Sequence, residues 1–486
     1  MSNSKKIAYS VSVQYIGRIL GLVVSLFAIA LLTRNLGVAN YGAYAAAASI
    51  ANLIITFSDF GFFWSTIQNY FNPEGNKDSI RDILGIRTIL TIALILISII
   101  FVKFGAFSPV VKEAYIILTI FVFTSSINNI LIAIYQAEYR MLWPTIADII
   151  GRFVNLIIIY IGIRYKLPFN WFIWGMSTTA LINLLINWLG LIKSTGLILP
   201  KFRGITWRKY YNSVFLVGLM ALFSALYFRI DIVILSWMKN SEDVGIYGVA
   251  QRITELSTVF GALLISSVFP TLVTSFKVDL EKFKSMVGKT FLILLAIGLP
   301  IFIYGVFLSQ QLVDLIGGNQ FTSIATIIVR DNAITTPVVT AILLFYVFLV
   351  HLGIVFTNGL LASGAVKRLV IINITATIVN IVLNIIFIPT YSYFACAIIT
   401  VLTEMVVVVA NGGYFIKKYN FKFPWASAGK IILSIIPGLI FLYAFSFIPF
   451  IILSILIVII YFATLYLLMP EFRLFAKQMN PGAINE

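Results

Sequence analysis

Apolar runs of about 20 residues recur along the whole length of this chain, and that recurrence leaves few folds open. A helix rising 1.5 Å per residue needs roughly 20 residues to cross a hydrocarbon core of ~30 Å. About fourteen windows meet that criterion: 11–32, 42–66, 83–102, 114–134, 142–163, 171–192, 213–237, 245–269, 290–308, 338–361, 369–388, 392–412, 431–447 and 450–468. The windows are continuously apolar, not alternating as the strands of an outer-membrane barrel would be. With 60% hydrophobic and 11% charged residues, the 486-residue chain lacks the charge to solvate the surface of a water-soluble fold. The expected fold class is therefore an all-α integral membrane protein of about 14 transmembrane helices.

Orientation follows from the basic residues. Starting with the N-terminus inside, 23 Lys and Arg fall on the cytoplasmic side, 7 on the other, and four arginines lie within spans. The positive-inside rule then puts both termini in the cytoplasm. The net charge of +16 is thereby assigned to one membrane face, where it sets topology and attracts anionic headgroups, and not to nucleic acid. The short, basic start, Met1 to Ser10, leads into an apolar run longer than a signal-peptide core, so it is read as a retained first helix.

No segment between windows is long and polar enough to form a core of its own. The stretch 193–212, with Pro200, Gly204 and five basic residues, is the candidate linker between two halves. Internal echoes support such halves. Val38-Ala-Asn-Tyr41-Gly42 recurs as Val244-Gly-Ile-Tyr247-Gly248, and aligning Ala137 with Ala362 places Val154-Asn155 on Val379-Asn380. Two six-helix pseudo-repeats related by an axis along the membrane normal are expected, with a pathway between them. The organisation expected is an N-terminal lobe over 1–200, a C-terminal lobe over 201–420, and two additional helices with a tail over 421–486.

Nine Asp, Glu and Arg residues lie six or more residues inside the windows: Arg18, Asp59, Asp148, Arg152, Arg229, Asp231, Arg252, Glu255 and Glu404; Arg87, four residues into 83–102, is counted with the cytoplasmic side. An uncompensated charge at mid-bilayer costs at least ~2.5 kcal/mol, so such residues face a protein interior or a watery pathway. Arg18 and Asp59 both lie about seven residues, or ~10 Å, inside the inner boundary and are placed to pair. Arg229 and Arg252 lie at matching depth near the opposite boundary. Asp148 and Arg152, four apart, are expected to form a local ion pair near the inner boundary; Arg252 and Glu255, three apart, share a face and are either a local pair or part of a pathway. Asp231, two residues from Arg229, points elsewhere. Glu404 has no partner in its own span and is read as a pathway residue or as paired across helices.

The asparagines, among them Asn128, Asn187, Asn380 and Asn384, are read first as interhelical hydrogen-bonding groups and second as ligand contacts. Gly17 and Gly21 form a small-xxx-small pair beside Arg18 that suits close helix packing. The lone Cys396 excludes an intrachain disulfide, and the lone His351 is read as a packing or pore-lining group. There is no phosphate-binding GxxxxGK[ST] loop and no nucleophile elbow, which disfavours an ATP-driven pump or a hydrolase; no catalytic residue, metal or enzyme activity is expected. What remains is a transporter driven by an ion gradient, the membrane potential or substrate flux.

Two stretches carry a resemblance. YIGRILGLVVSLFAIALLTRNLGVANYGAYAAAASIANLIITFSDFGF and VGIYGVAQRITELSTVFGALLISSVFPTL resemble polysaccharide-export flippases of the Wzx type, within the multidrug/oligosaccharidyl-lipid/polysaccharide superfamily. The more specific element is the Leu-Gly-x-x-x-Tyr-Gly turn at Leu36 to Gly42 and its echo. The resemblance implies two six-helix lobes of the kind found in multidrug exporters and lipid II flippases, an alternating-access cavity, and transfer of polyprenyl-diphosphate-linked oligosaccharide, of the undecaprenyl type in bacteria, across the cytoplasmic membrane. It also implies membrane lipids and a polysaccharide polymerase or glycosyltransferase machinery as partners. Guanidinium groups are multidentate donors that stay charged, so Arg18, Arg229 and Arg252 are the candidates for the diphosphate. Asp59, Asp231, Glu255 and Glu404 are candidates for lining the cavity or for coupling to an H+ or Na+ gradient. Two other readings stand beside this one: a multidrug or cation antiporter of the same superfamily, and a non-transporting membrane assembly protein.

Overall fold

The computed structural model describes residues 3–71, 77–196, 198–202 and 207–469. Apart from one two-residue hairpin, β1 (Ile328–Val329) with β2 (Asn332–Ala333), every regular element in them is helical. In chain order the first are α1 (Asn3–Asp59), α2 (Phe62–Phe71), α3 (Lys77–Phe104), α4 (Pro109–Ala137), α5 (Leu142–Arg164), α6 (Phe169–Thr195), α7 (Trp207–Met238) and α8 (Ser241–Val278). Then come α9 (Leu280–Phe307), α10 (Ser309–Gly317), α11 (Asn319–Thr322), α12 (Thr336–Ala362), α13 (Val366–Tyr419), α14 (Trp425–Leu433), α15 (Ile435–Ala444) and α16 (Phe450–Leu468).

Twelve helical segments are long and apolar enough to cross a membrane. Two of them are double. α1 has 57 residues with a break at Gly37 (φ 77°), and α13 has 54 with a break at Ser392 (φ 42°). Each is more than twice the ~20 residues one crossing needs, so the twelve provide fourteen crossing-length pieces, as the hydropathy windows require. The chain is an all-α membrane protein.

By contact the chain forms two compact units that interleave in sequence. The first comprises Met1–Val249, Asp314–Thr336 and Thr377–Cys396; the second comprises Ala250–Val313, Pro337–Ala376 and Ala397–Glu486. Within the first, α4 is the hub, packing on α6, α1, α3 and α2. It starts cleanly, with Ser108 as N-cap and Pro109 at the first helical position, where a missing N–H costs nothing. Its polar side chains join neighbours: Asn187 donates to Asn128 Oδ1 at 2.9 Å, and Tyr135 donates to the Asn187 carbonyl at 2.9 Å. The asparagines here serve as interhelical hydrogen-bonding groups, as their type and depth led us to expect.

The two echoed motifs meet inside this unit. A Cβ on Gly42 would lie 1.8 Å from the Ser241 carbonyl oxygen, and one on Gly245 would lie 2.2 Å from that of Val38. Backbone touches backbone at this crossing, so the glycines are needed for proximity and not for conformation.

The second unit has an aromatic core in which Phe283, Phe291, Phe356, Phe415, Tyr419 and Phe421 are buried together. The last two crossings, Trp425–Ala444 and Phe450–Leu468, attach to α9: Tyr304 donates to the Ile435 carbonyl at 3.1 Å, and Tyr461 donates to that of Ala296 at 2.9 Å. Both hydroxyls satisfy helical carbonyls of a neighbour. His351, fully buried, donates from Nδ1 to the Val347 carbonyl at 2.8 Å and packs against Gly298, which makes it a packing residue of α12. Residues 203–206, inside the expected linker, and the tail from 470 lie outside the described residues.

Candidate functional site

Three groups of intramembrane charges belong to the first unit. The first lies on the seam between α1 and α5. Gly17, Gly21 and Ser25 recur every four residues and so line one face of α1. A Cβ on Gly17 would meet Thr145 Cγ2 at 2.2 Å, and one on Gly21 would meet Arg152 Nε at 2.8 Å. The small-xxx-small pair thus does what its spacing suggests: it brings α5 onto the backbone of α1. Through the gap Arg152 reaches across, donating from Nε to Asp148 Oδ2 at 2.8 Å, and from Nη1 to the Gly21 carbonyl at 3.2 Å and to Ser25 Oγ.

The expected Asp148–Arg152 pair therefore exists, and it also clasps two helices. Arg152 is ten residues along the 23-residue α5, ~15 Å from its start. The Arg152 and Asp148 side chains remain 36% and 45% exposed, and Arg18, next to Gly17, is exposed as well. Facing lipid, each such charge would cost at least ~2.5 kcal/mol; facing water it costs little. The seam thus leaves three charges exposed within apolar spans, two of them paired with each other.

The second group corrects an expectation. Among the described residues Asp59 forms its ion pair with Arg87, not with Arg18. Arg87, only four residues into the window 83–102, is expected at the cytoplasmic side. In the structure it is 0% exposed, donating from Nη1 to Asp59 Oδ1 and from Nε to Ser126 Oγ at 3.0 Å. Ser126 is also within hydrogen-bonding distance of Thr91 Oγ1 (2.7 Å) and Ser58 Oγ (2.9 Å). A guanidinium without water needs partners for its donors; α1 and α4 supply them to Nη1 and Nε, while Nη2 has none among the described residues. Sequence reasoning missed Arg87; the available signal was that it lies inside an apolar window.

Asp231 of α7 anchors the third group. It is 2% exposed, accepting from Asn384 Nδ2 at 2.8 Å through one oxygen and from the Tyr247 hydroxyl at 3.1 Å through the other. Asn384 Nδ2 also reaches Asn380 Oδ1 at 3.1 Å, and both asparagines are fully buried. Among the described residues Asn384 Oδ1 has no donor and Asn380 Nδ2 no acceptor. One carboxylate oxygen and one amide oxygen, from α7 and α13, so converge on the Asn384 amide nitrogen in a dry place. Arg229, two residues before Asp231, is half-buried on the same helix.

The remaining candidates belong to the second unit. Arg252 Nη1 and Glu255 Oε2 are 2.9 Å apart, with the side chains 33% and 32% exposed, so this pair is a local one that remains accessible. Glu404 is 8% exposed, with Oε1 3.7 Å from where a Cβ on Gly353 would stand. Among the described residues no group of three or more His, Cys, Asp or Glu is arranged to hold a metal ion.

Comparison with known proteins agrees with this architecture. Residues 4–276 match the model of a family described as polysaccharide biosynthesis protein. That is more than half of the chain. It belongs to the polysaccharide biosynthesis protein family. A second model, MatE, matches residues 217–386 of this family member. A protein of Haloferax volcanii described as a probable low-salt glycan biosynthesis flippase, Agl15, is 21% identical over 442 residues, 88% of each chain. Among solved structures, the lipid II flippase MurJ in an inward closed conformation superposes with a TM-score of 0.74 at 16% identity, covering 95% of this chain and 98% of MurJ. An inward-facing multidrug resistance MATE transporter of the MOP superfamily gives 0.64 at 16% identity, over 82% and 94% of the two chains. The polysaccharide biosynthesis family member thus has the MurJ/MATE-like fold.

Proposed function

We propose that this chain is a flippase that moves polyprenyl-diphosphate-linked oligosaccharide across the cell membrane by alternating access, for the synthesis of a cell-surface polysaccharide, with both termini cytoplasmic. The observation that carries the reading is the seam of α1 and α5, where Arg18 and Arg152 stay exposed within apolar spans. Exposed guanidinium groups there suit an anionic cargo, since each offers charge and several donors to a diphosphate. Ile19 and Leu20, exposed beside Arg18, give the same surface an apolar side that suits a lipid-borne headgroup. Family membership and the described activity of the Haloferax relative support the same class. Arg18, Arg229 and Arg252 are assigned to the diphosphate, and Asp59, Asp231, Glu255 and Glu404 to lining the pathway or to coupling. Of these, Asp231, buried beside Asn380 and Asn384, is the candidate for an ion, Na+ or H+, whose gradient would drive return of the carrier.

The test is transfer of a lipid-linked oligosaccharide in proteoliposomes. Arg18→Gln is expected to lower the rate at least tenfold at equal reconstitution, because one charge-assisted contact contributes ~1.5–3 kcal/mol. An unchanged rate in Arg18→Gln, Arg229→Gln and Arg252→Gln alike overturns the reading. The MatE match keeps a multidrug antiporter as the second reading. It predicts resistance to organic cations on expression, a cargo that the exposed arginines would repel. A non-transporting assembly protein predicts no transfer of either cargo.

A further inference from the structure

From Asn332 to Pro470 the sequence contains a single acidic residue, Glu404, which is buried. The same stretch contains six cations, Lys367, Arg368, Lys417, Lys418, Lys422 and Lys430, all exposed. Positive charge on the inner face is expected of any such protein, so the count alone means little. The arrangement means more. The guanidinium carbon of Arg368, at the start of α13, stands 3.8 Å from the centre of the Tyr414 ring. Lys418, at the end of α13, has its ammonium 5.6 Å from that ring and 5.1 Å from Tyr419. Two cations from opposite ends of one broken helix therefore share one ring, within about a Debye length of each other. Among the described residues neither has a carboxylate partner.

Like charges held this close need a reason. Stacking on tyrosine fixes a cation's position while leaving its N–H groups free to donate. The neighbouring basic stretch behaves differently: in 277–289, Lys284 pairs with Glu281, and Asp279 caps α9. Depth is marked by Trp425, 74% exposed, its ring 4.5 Å from that of Phe423, which packs in turn on buried Phe291 at 4.6 Å. A rigidly held, exposed tryptophan of this kind belongs at headgroup level. Asn420, left-handed at the C-cap (φ 48°), turns the chain so that Phe421 is buried while Lys422 faces out beside the cluster.

We propose that the ends of α13 and the turn 420–425 form a binding site for the phosphodiester headgroup of an anionic phospholipid of the inner leaflet, with Arg368 and Lys418 as the principal donors. The site does not depend on what the protein transports. It would keep an annular lipid on the second unit, where α9, α13 and α14 meet.

Native mass spectrometry of the full-length protein titrated with phosphatidylglycerol and with phosphatidylcholine tests this. The intact protein should prefer phosphatidylglycerol, and Arg368→Gln with Lys418→Gln should weaken that binding about 25-fold, fivefold per cation. The control pair Lys282→Gln with Lys289→Gln removes the same charge from the same face and should change it less than threefold. Tyr414→Leu, which keeps every charge, should cost severalfold by releasing Arg368 and leaving Lys418 only the Tyr419 ring. No preference in the intact protein, equal losses in the two Gln pairs, wild-type affinity in Tyr414→Leu, or equal competition by inorganic phosphate each overturn the proposal.

Discussion

The buried Asp59–Arg87 pair makes the sharpest energetic prediction, because its two members differ in access to water. Arg87 is 0% exposed, whereas the Asp59 side chain is 19% exposed. Asp59→Ala leaves a guanidinium in a dry site with Nη1 unpartnered and Nη2 already without an acceptor; only the Ser126 contact remains. Breaking a buried pair in this direction costs ~3–5 kcal/mol. Arg87→Met leaves a carboxylate that water still reaches, and the unbranched side chain fills the vacated space, so the loss should be nearer ~1–3 kcal/mol. In Asp59→Ala with Arg87→Met no charge is left, and most of the stability should return, giving a coupling energy of at least ~2 kcal/mol between the sites. Reversible unfolding in mixed SDS micelles, run on both singles and the double, measures all three. Equal losses in the singles that simply add in the double would refute the claim that Arg87 is held in place by Asp59.

Gly42→Ala places a methyl 1.8 Å from a backbone oxygen that cannot rotate away, so the crossing with α8 must open. We expect a loss of at least ~2 kcal/mol or failure to accumulate, read by yield and thermal midpoint, whereas Gly413→Ala, with nothing within 4 Å, should be neutral. Asp231→Asn removes the carboxylate that accepts from Asn384. Transport should lose its dependence on a Na+ or H+ gradient while cargo binding persists, and retained gradient dependence in proteoliposomes would reject the coupling role.

The number and nature of the spans could be read directly from the chain, because crossing a ~30 Å core imposes a length on every helix regardless of its neighbours. So could the Asp148–Arg152 and Arg252–Glu255 pairs and the close approach promised by Gly17 and Gly21. All of these depend on spacing within one helix, where 3.6 residues per turn decides who faces whom. Partners on different helices could not be read. In water the apolar stripe of a helix tells which way it faces; in lipid every side is apolar and that signal disappears. Only packing set the rotation that turns Arg87 onto Asp59, brings Asn384 under Asp231, and stands Arg368 over Tyr414. The echo of Val38 to Gly42 in Val244 to Gly248 was visible as a repeat. That the two copies touch, glycine against backbone, was a decision of the tertiary structure.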